Sequence, residues 1–394
     1  MLMVTEQLAS NEPLESASFP LPRAAYVHVP FCAHRCGYCN FTLVAGRDDL
    51  IEGYLAAVER ELSWLGTPRP VDTLFIGGGT PTHLAPPQLR RLLTTVRQWF
   101  PLSSGGEFTV EANPLDLNDE RAAILCDAGV NRLSLGVQSF DNAKLRVLER
   151  DHRAEDVHRA ICVAQGRFSS VSLDLIFACP GETLETWDAD LTAALAVLPE
   201  HVSTYGLTFE RGTAFWSRLQ KRQLCEADEE TQRAMYALAI DRLAAAGLEH
   251  YEVSNFARPG HRCRHNETYW AGNGYYAAGP GAARYVNGRR ETNHRSTTTY
   301  LERVLSGVSP VSEAEELSAE DRAREALVLA LRRIEGVDKR AFAARTGYDV
   351  AELAGQPIRE FVELGLMCDE RDRLRLSREG LFISDSLWPK ILRR

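Results

Sequence analysis

Hydrophobic positions between residues 24 and 208 fall into two alternating rhythms. Short apolar runs at 24–29, 73–76, 108–111, 132–137, 171–177 and 202–208 predict strands, and the stretches between them carry apolar residues at helical spacing. In the first such stretch, 48–65, Ile51, Leu55, Val58, Leu62 and Leu65 share one face. Further helices are predicted at 87–100, 119–128, 156–165 and 184–198, with Gly129 as the stop after 119–128. Six strands separated by helices imply an α/β fold with a parallel sheet, its strands buried on both faces. No G-x-G-x-x-G opens the first helix, so a dinucleotide-binding sheet loses ground. A curved, partial (β/α)6 barrel of the TIM kind fits better, with its chemistry at the C-terminal ends of the strands.

The pattern then changes. A helix at 228–247 and a strand at 249–253 are followed by a Gly-, Asn- and Tyr-rich stretch, 254–293, that reads as irregular loop. Beyond Pro310 and the acidic run 313–316, helices at 319–333, 338–346 and 358–364 precede a hairpin at 367–376 around Asp372. That order suggests a small winged-helix-like domain, and its mixed charge favours packing or partner recognition over DNA. The expected division is a disordered tail at 1–23, a main domain at 24–312 and a C-terminal domain at 313–394.

Charge and cysteine usage narrow the classes. A net charge of −9 argues against a broad nucleic-acid footprint. The first 23 residues carry Glu6, Glu12 and Glu15 without an apolar run of signal-peptide length, and no stretch approaches a membrane span. Six of the nine cysteines are scattered singly, which is no disulfide framework and points to a reducing cytoplasm.

The other three, Cys32, Cys36 and Cys39, are spaced C-x3-C-x2-C in one loop directly after the first strand. A [4Fe–4S] cluster takes four thiolates. Three leave one iron open, and an open position on a metal site is where exchangeable ligands bind. A structural zinc with His34 as fourth ligand is the alternative on these residues alone. Polar or glycine residues punctuate the later strand ends: Gly77-Gly-Gly-Thr-Pro81, Glu111-Ala-Asn-Pro114, Gln138-Ser139, with Asp174 and Tyr205 in the fifth and sixth strands. Each has a plainer reading: the glycines as a turn, Asp174 as a hydrogen-bonded core carboxylate, Arg150 as a surface partner of Glu149 or Asp151. Together, on one rim, they read as a site.

The ordered set of cysteine loop, Gly77–Pro81, Glu111–Pro114 and Asn131-Arg-Leu-Ser-Leu-Gly-Val-Gln-Ser-Phe140 resembles the radical S-adenosylmethionine (SAM) proteins. More narrowly it is similar to the family containing oxygen-independent coproporphyrinogen III oxidase (HemN) and the heme chaperone HemW. The resemblance implies a cluster on the three cysteines and SAM chelating the open iron. Tyr26, Tyr38, Gly78, Gly79, Thr80, Glu111, Gln138, Arg150 and Asp174 would line the cofactor pocket. It also implies an electron donor and reductive cleavage of SAM. The oxidases extend the loop to a fourth cysteine where this chain has Phe41, which favours the chaperone type over an oxidase acting on a porphyrinogen. A second stretch, His265-Asn-Glu-Thr-Tyr-Trp270, is similar to the H-N-x-x-Y-W signature of the chaperone group. It makes His265, Tyr269 and Trp270 heme candidates: an imidazole for iron and two flat faces for a porphyrin. A core or loop role for the three is equally open. The partner implied is an acceptor hemoprotein. One departure is the turn Phe177-Ala-Cys-Pro-Gly181, which is glycine-rich in the family.

Overall fold

A computed structural model describes residues 19–393. The expected tail lies outside the described residues as far as position 18. Its last part is not loose, since the Arg23 guanidinium donates to both carboxylate oxygens of Asp72 at 3.1 and 2.7 Å.

Six parallel strands form the main sheet: β1 (Ala24–Val29), β2 (Val71–Gly78), β3 (Leu102–Ala112), β4 (Arg132–Gln138), β5 (Ser170–Phe177) and β6 (His201–Gly206). Between them run α1 (Ile51–Ser63), α2 (Pro86–Trp99), α3 (Asp119–Asp127), α4 (Asn142–Val147), α5 (Ala154–Ala164) and α6 (Leu184–Ala196). Two further helices, α7 (Ala214–Gln220) and α8 (Glu229–Ala245), follow β6. The sheet gains β7 (Glu249–Glu252) and β8 (Asn255–Ala257) antiparallel at one edge and β9 (Tyr276–Ala278) parallel at the other. The strand order is β9-β1-β2-β3-β4-β5-β6-β8-β7, parallel from β9 to β6 and antiparallel at the β8-β7 edge.

The strands are largely buried on both faces, as the sequence pattern suggested, but only one of the two faces is apolar. Outward residues such as Val27, Ile76, Val110, Leu135, Leu173 and Val202 join the helices in one core. The alternate positions are polar and mostly buried: Thr73, Glu107, Thr109, Arg132, Ser172, His201 and Ser203. Successive strand residues point to opposite faces, so this parity gives the curved sheet an apolar back and a polar interior.

The stretch 254–293 is not irregular. It holds β8, the helix α9 (Arg264–Trp270), β9, and the hairpin strands β10 (Ala283–Val286) and β11 (Arg289–Asn293). The acidic run is itself a strand, β12 (Val311–Glu316), antiparallel to β11, so the expected boundary at 312/313 cuts through a three-stranded sheet. Alternating Arg and Glu across β11 and β12 explain the acidic composition: Arg289 pairs with Glu316 and Arg290 with Glu315. The helix α10 (Thr297–Leu305) packs on α1.

The C-terminal domain has its own core, built from α11 (Ala319–Leu331), α12 (Lys339–Thr346), α13 (Val350–Glu363) and the order β13 (Val337–Asp338), β15 (Arg373–Leu376), β14 (Met367–Asp369). The helix expected at 358–364 starts earlier, at Val350, and bends at Ala354, just before Pro357. Its Asp349 N-cap, accepting from the Ala351 amide, sets that start.

Candidate functional site

The cysteine loop springs from the C-terminal end of β1. Phe31, fully buried against the edge of the Tyr54 ring, fixes its start. Phe31–Cys32 pairs in parallel with Val44–Ala45, so the loop returns on itself. Its far side is clamped by Arg295, which donates to the Asn40 carbonyl at 2.7 Å and to Thr42 Oγ1 at 3.2 Å. The three thiols are unoxidised and face a cavity of about 570 Å³. Cys32, Cys36, Tyr38, Cys39, Gly78, Gly79, Thr80, Glu111, Gln138, Arg150, Asp174 and Tyr205 all line it, from five strands and the loop.

Thr80 Oγ1 lies 3.3 Å from Cys32 Sγ, and Arg150 donates to Cys36 Sγ at 3.3 Å. Arg150 also donates to the Gly136 carbonyl at 3.1 Å, while Glu149 pairs elsewhere, with Arg218. Burial opposes the Arg150 charge, and Tyr38, Cys36 and Asp151 around it outweigh that, so the guanidinium stays charged. Burial pushes the Cys32 thiol up to about 12, so anionic sulfur there requires a cation. Among the described residues no three His, Cys, Asp or Glu side chains converge on a single-ion site. Three thiols spread around one cavity beside a fixed guanidinium fit the corners of a cluster.

Opposite the cysteines, the turn after β2 comes very close to the loop. The Gly79 amide donates to the Val29 carbonyl and the Thr80 amide to the Phe31 carbonyl, both at 2.7 Å. Gln138, at the end of β4, holds a left-handed φ of 64°, an uncommon conformation for a residue with a side chain. Such strain gathers where a site dictates the backbone.

Two carboxylates complete the cavity. Glu111 accepts from the Gly78 amide at 2.8 Å, and Asp174 accepts from Ser134 Oγ at 3.0 Å. Desolvation raises Glu111 to about 7, with Asp174 adding repulsion, and raises Asp174 to about 6 against the hydrogen bonds of its serines. The folded ligand-free chain therefore holds protons that the unfolded chain releases near pH 4. Stability from these groups is fully present below that and is lost as pH rises through 6 and 7. Thermal unfolding of the ligand-free protein should fall between pH 5 and 8, and Glu111→Gln should flatten the slope. An unchanged slope in that variant would show that Glu111 is not its source.

Ser134, Gly136, Asn113 and Asp151 line the cavity as well and were missed from sequence. Ser134 and Gly136 share the inward parity of Gln138, which was the available signal.

Of the residues expected at the cofactor pocket, Tyr26 is not brought to this cavity, and the three heme candidates lie apart from it. Tyr26 lies lower on the inward face of β1, its hydroxyl 2.9 Å from His28 Nδ1, and lines a second cavity with Tyr269 and Trp270. His265 is buried with both ring nitrogens engaged: Nδ1 lies 3.0 Å from Thr73 Oγ1 and Nε2 2.8 Å from Tyr269 Oη. Burial lowers its pKa to about 3, so it is neutral. The expectation of an available imidazole is corrected, because no ring nitrogen is left to bind iron. Glu107 explains the placement, accepting the Arg264 and His265 amides at 3.1 and 3.0 Å and so holding the start of α9 against β3. Cys263, beside it, is packed and inert, its thiol pushed up to about 12 by burial. His265→Ala should destabilise the fold by about 1–3 kcal/mol through the orphaned Thr73 and Tyr269 hydroxyls. Denaturant unfolding checks it, and a neutral result would mean that solvent replaces the imidazole.

Residues 26–194 match the radical SAM superfamily and residues 317–383 the HemN C-terminal domain. The chain is 35% identical over 375 residues to a protein named heme chaperone HemW from Bacillus subtilis, covering 94% of this chain and 99% of that one. It is 32% identical to one of the same name from Escherichia coli, covering 93% and 97%. Among solved structures, coproporphyrinogen III oxidase (HemN) from Escherichia coli superimposes with a TM-score of 0.84 at 21% identity, covering 95% of this chain and 91% of that one. No helix among the described residues is long and apolar enough to cross a membrane.

Proposed function

Because the chain belongs to the radical SAM superfamily and, within it, to the HemW group, we propose that it is a heme chaperone. It binds a [4Fe–4S] cluster, SAM and heme, and passes heme to an acceptor hemoprotein. The observation that carries this reading is the end-to-end similarity to proteins of that name, combined with Phe41 at the cavity mouth. Phe41 is 63% exposed where an oxidase-type loop has a fourth cysteine.

Cys32, Cys36 and Cys39 hold the cluster. Gly78 and Gly79 admit the amino-acid end of SAM against backbone, where a side chain would stand in the way, and Thr80 borders it beside Cys32. Glu111 and Asp174 ionise when a cationic ligand enters, offsetting their desolvation. Gln138 and Ser134 offer hydrogen bonds, and Arg150 fixes the charge beside Cys36. The bound pair supplies one-electron chemistry at the sulfonium. Tyr38, edge-on to Phe215 at 6.2 Å, helps keep water from the loop.

Anaerobic reconstitution with iron and sulfide, then heme titration with and without SAM, tests the reading. Cluster formation, a heme complex, and transfer to an apo-hemoprotein seen as a shifted Soret band are the expected results. A colourless protein retaining one zinc would overturn it, as would turnover of coproporphyrinogen III with SAM and a reductant.

A further inference from the structure

The cysteine loop is backed by an element that lies outside both family matches. Those matches span residues 26–194 and 317–383, whereas α7 is Ala214–Gln220. Phe215, the second residue of α7, is fully buried in a small cluster with Leu148, Ile176, Leu207 and Phe209. Its amide donates to the carbonyl of Gly37, between the second and third cysteines of the loop, at 2.9 Å. The fit leaves no room for a side chain at residue 37. A Cβ there would overlap the Phe215 ring and lie 2.6 Å from Glu149 Oε2.

Glu149 thus brings a carboxylate to the same spot. It stands just past the C-terminal end of α4 at a left-handed φ of 56°, in a turn closed by the Arg150 amide donating to the Leu145 carbonyl at 2.9 Å. The turn sends two neighbouring side chains to one loop. Arg150 donates to Cys36 Sγ at 3.3 Å, and the Glu149 carboxylate rests beside Gly37. Arg218, one turn after Phe215 on α7, pairs with that carboxylate. Among the described residues it is the only cation that does so. The Glu149 side chain is 27% exposed, so solvent screens its charge only in part.

We infer that Arg218 makes the iron–sulfur cluster easier to reduce, by neutralising the Glu149 carboxylate packed against the cysteine loop at Gly37. The inference rests on the cluster reading and adds to it a positioning residue that lies outside the cofactor cavity. Reduction adds one negative charge to a cluster. A bare carboxylate beside it therefore favours the oxidised state, and a neutralised one does not. The backing by Phe215 keeps the carboxylate close, because the loop cannot draw away from α7 without losing the Gly37 hydrogen bond.

Redox titration of the anaerobically reconstituted full-length protein, followed by EPR of the reduced cluster, tests the inference, with iron content measured on every variant. Arg218→Gln should make the cluster ~10-fold harder to reduce, a shift of about 59 mV to more negative potential for one electron. Glu149→Gln should shift the potential the other way. Arg218→Lys, and the double variant Arg218→Gln with Glu149→Gln, should both return close to the parent value. Opposite signs from the two ends of one ion pair are the signature of charge, since loosened packing would move both single variants alike. Should Arg218→Gln lose its iron, Glu149→Gln decides alone: a positive shift supports the inference, and an unchanged or more negative potential overturns it. Unchanged potentials in both single variants, or shifts of the same sign, would overturn it and leave the cluster reading standing. A parent protein that takes up no iron and sulfide would overturn it together with the reading on which it rests.

Discussion

Lys144→Met should cost about 3–5 kcal/mol of unfolding free energy, because it strands two buried carboxylates. Lys144 stands on the short helix α4, and its ammonium pairs with Glu182 and, at 2.9 Å, with Asp190. All three side chains are at most 5% exposed. The carboxylates are not idle: Asp190 accepts from Ser139 Oγ and the Phe140 amide, both at 2.7 Å, and Glu182 accepts from the Cys179 amide at 2.9 Å. The ammonium therefore ties the loop after β5 to the segment after β4, which carries Arg150 to the cysteine cavity. Methionine matches the length of lysine, so the loss is one of charge rather than volume. Chemical denaturation of the single variant and of Lys144→Met with Glu182→Gln separates the causes. The double variant should recover part of the loss, a non-additivity expected of groups in one network. The deficit should also shrink at low pH. Burial already pushes the Glu182 carboxyl up, and without the cation the folded state takes up a proton that the unfolded state lacks at the same pH. A loss under 1 kcal/mol, or strict additivity, would mean that water reaches the carboxylates.

The six-strand order was legible because each strand is long, apolar on its outer parity and followed by a helix with one apolar face. The inner parity was equally present in the sequence, for Arg132-Leu-Ser-Leu-Gly-Val-Gln138 alternates throughout. It was overlooked because parallel sheets are usually buried by helices on both faces. A sheet curved around a cavity need not be. The cavity itself followed from strand-end motifs, since every one of them ends on the same rim. Burial did not follow from motifs. His265 carries the chemistry of a ligand, but Glu107, Thr73 and Tyr269 consume its hydrogen-bonding capacity, and two of these lie far away in sequence. Tyr26 precedes the cysteine loop by only a few residues, yet on an extended strand each residue adds about 3.3 Å, which is enough to carry it into another cavity. The stretch 254–293 was misread for a related reason: α9 has seven residues, too few to be stable alone, and depends on a carboxylate from β3. Ala178 shows the reverse case. Its departure from a glycine-rich turn was visible, and the structure holds it at a left-handed φ of 62°. The conformation is retained without the residue that adopts it most easily.

Gly79→Ala should abolish cluster retention and SAM binding together, while Gly181→Ala leaves both intact. The two glycines serve different needs. Gly181 has a φ of +78° with open space around it, so an added methyl meets nothing and the cost is backbone strain alone, about 1–2 kcal/mol. Gly79 has no left-handed φ, and any residue could adopt its conformation. What it lacks is room: a Cβ there would lie 2.6 Å from the Phe31 carbonyl oxygen and 2.9 Å from that of Val29. Both contacts are with backbone, which has no rotamer to yield. The carbonyls in question are also the ones that accept from the Thr80 and Gly79 amides at 2.7 Å. Relieving the clash therefore breaks the two hydrogen bonds that hold the glycine turn to the start of the cysteine loop. Overpacking of this kind costs about 1–3 kcal/mol in stability, a loss that a domain of this size survives. The functional loss should be larger, because Cys32 is the next residue after Phe31 and moves with it. Iron content and visible absorbance after anaerobic reconstitution, followed by SAM titration, give the comparison. Similar losses in the two variants would mean that backbone strain, and not the close approach at Gly79, governs the site. A Gly79→Ala protein that keeps its iron and binds SAM normally would show that the loop and the turn can separate without cost.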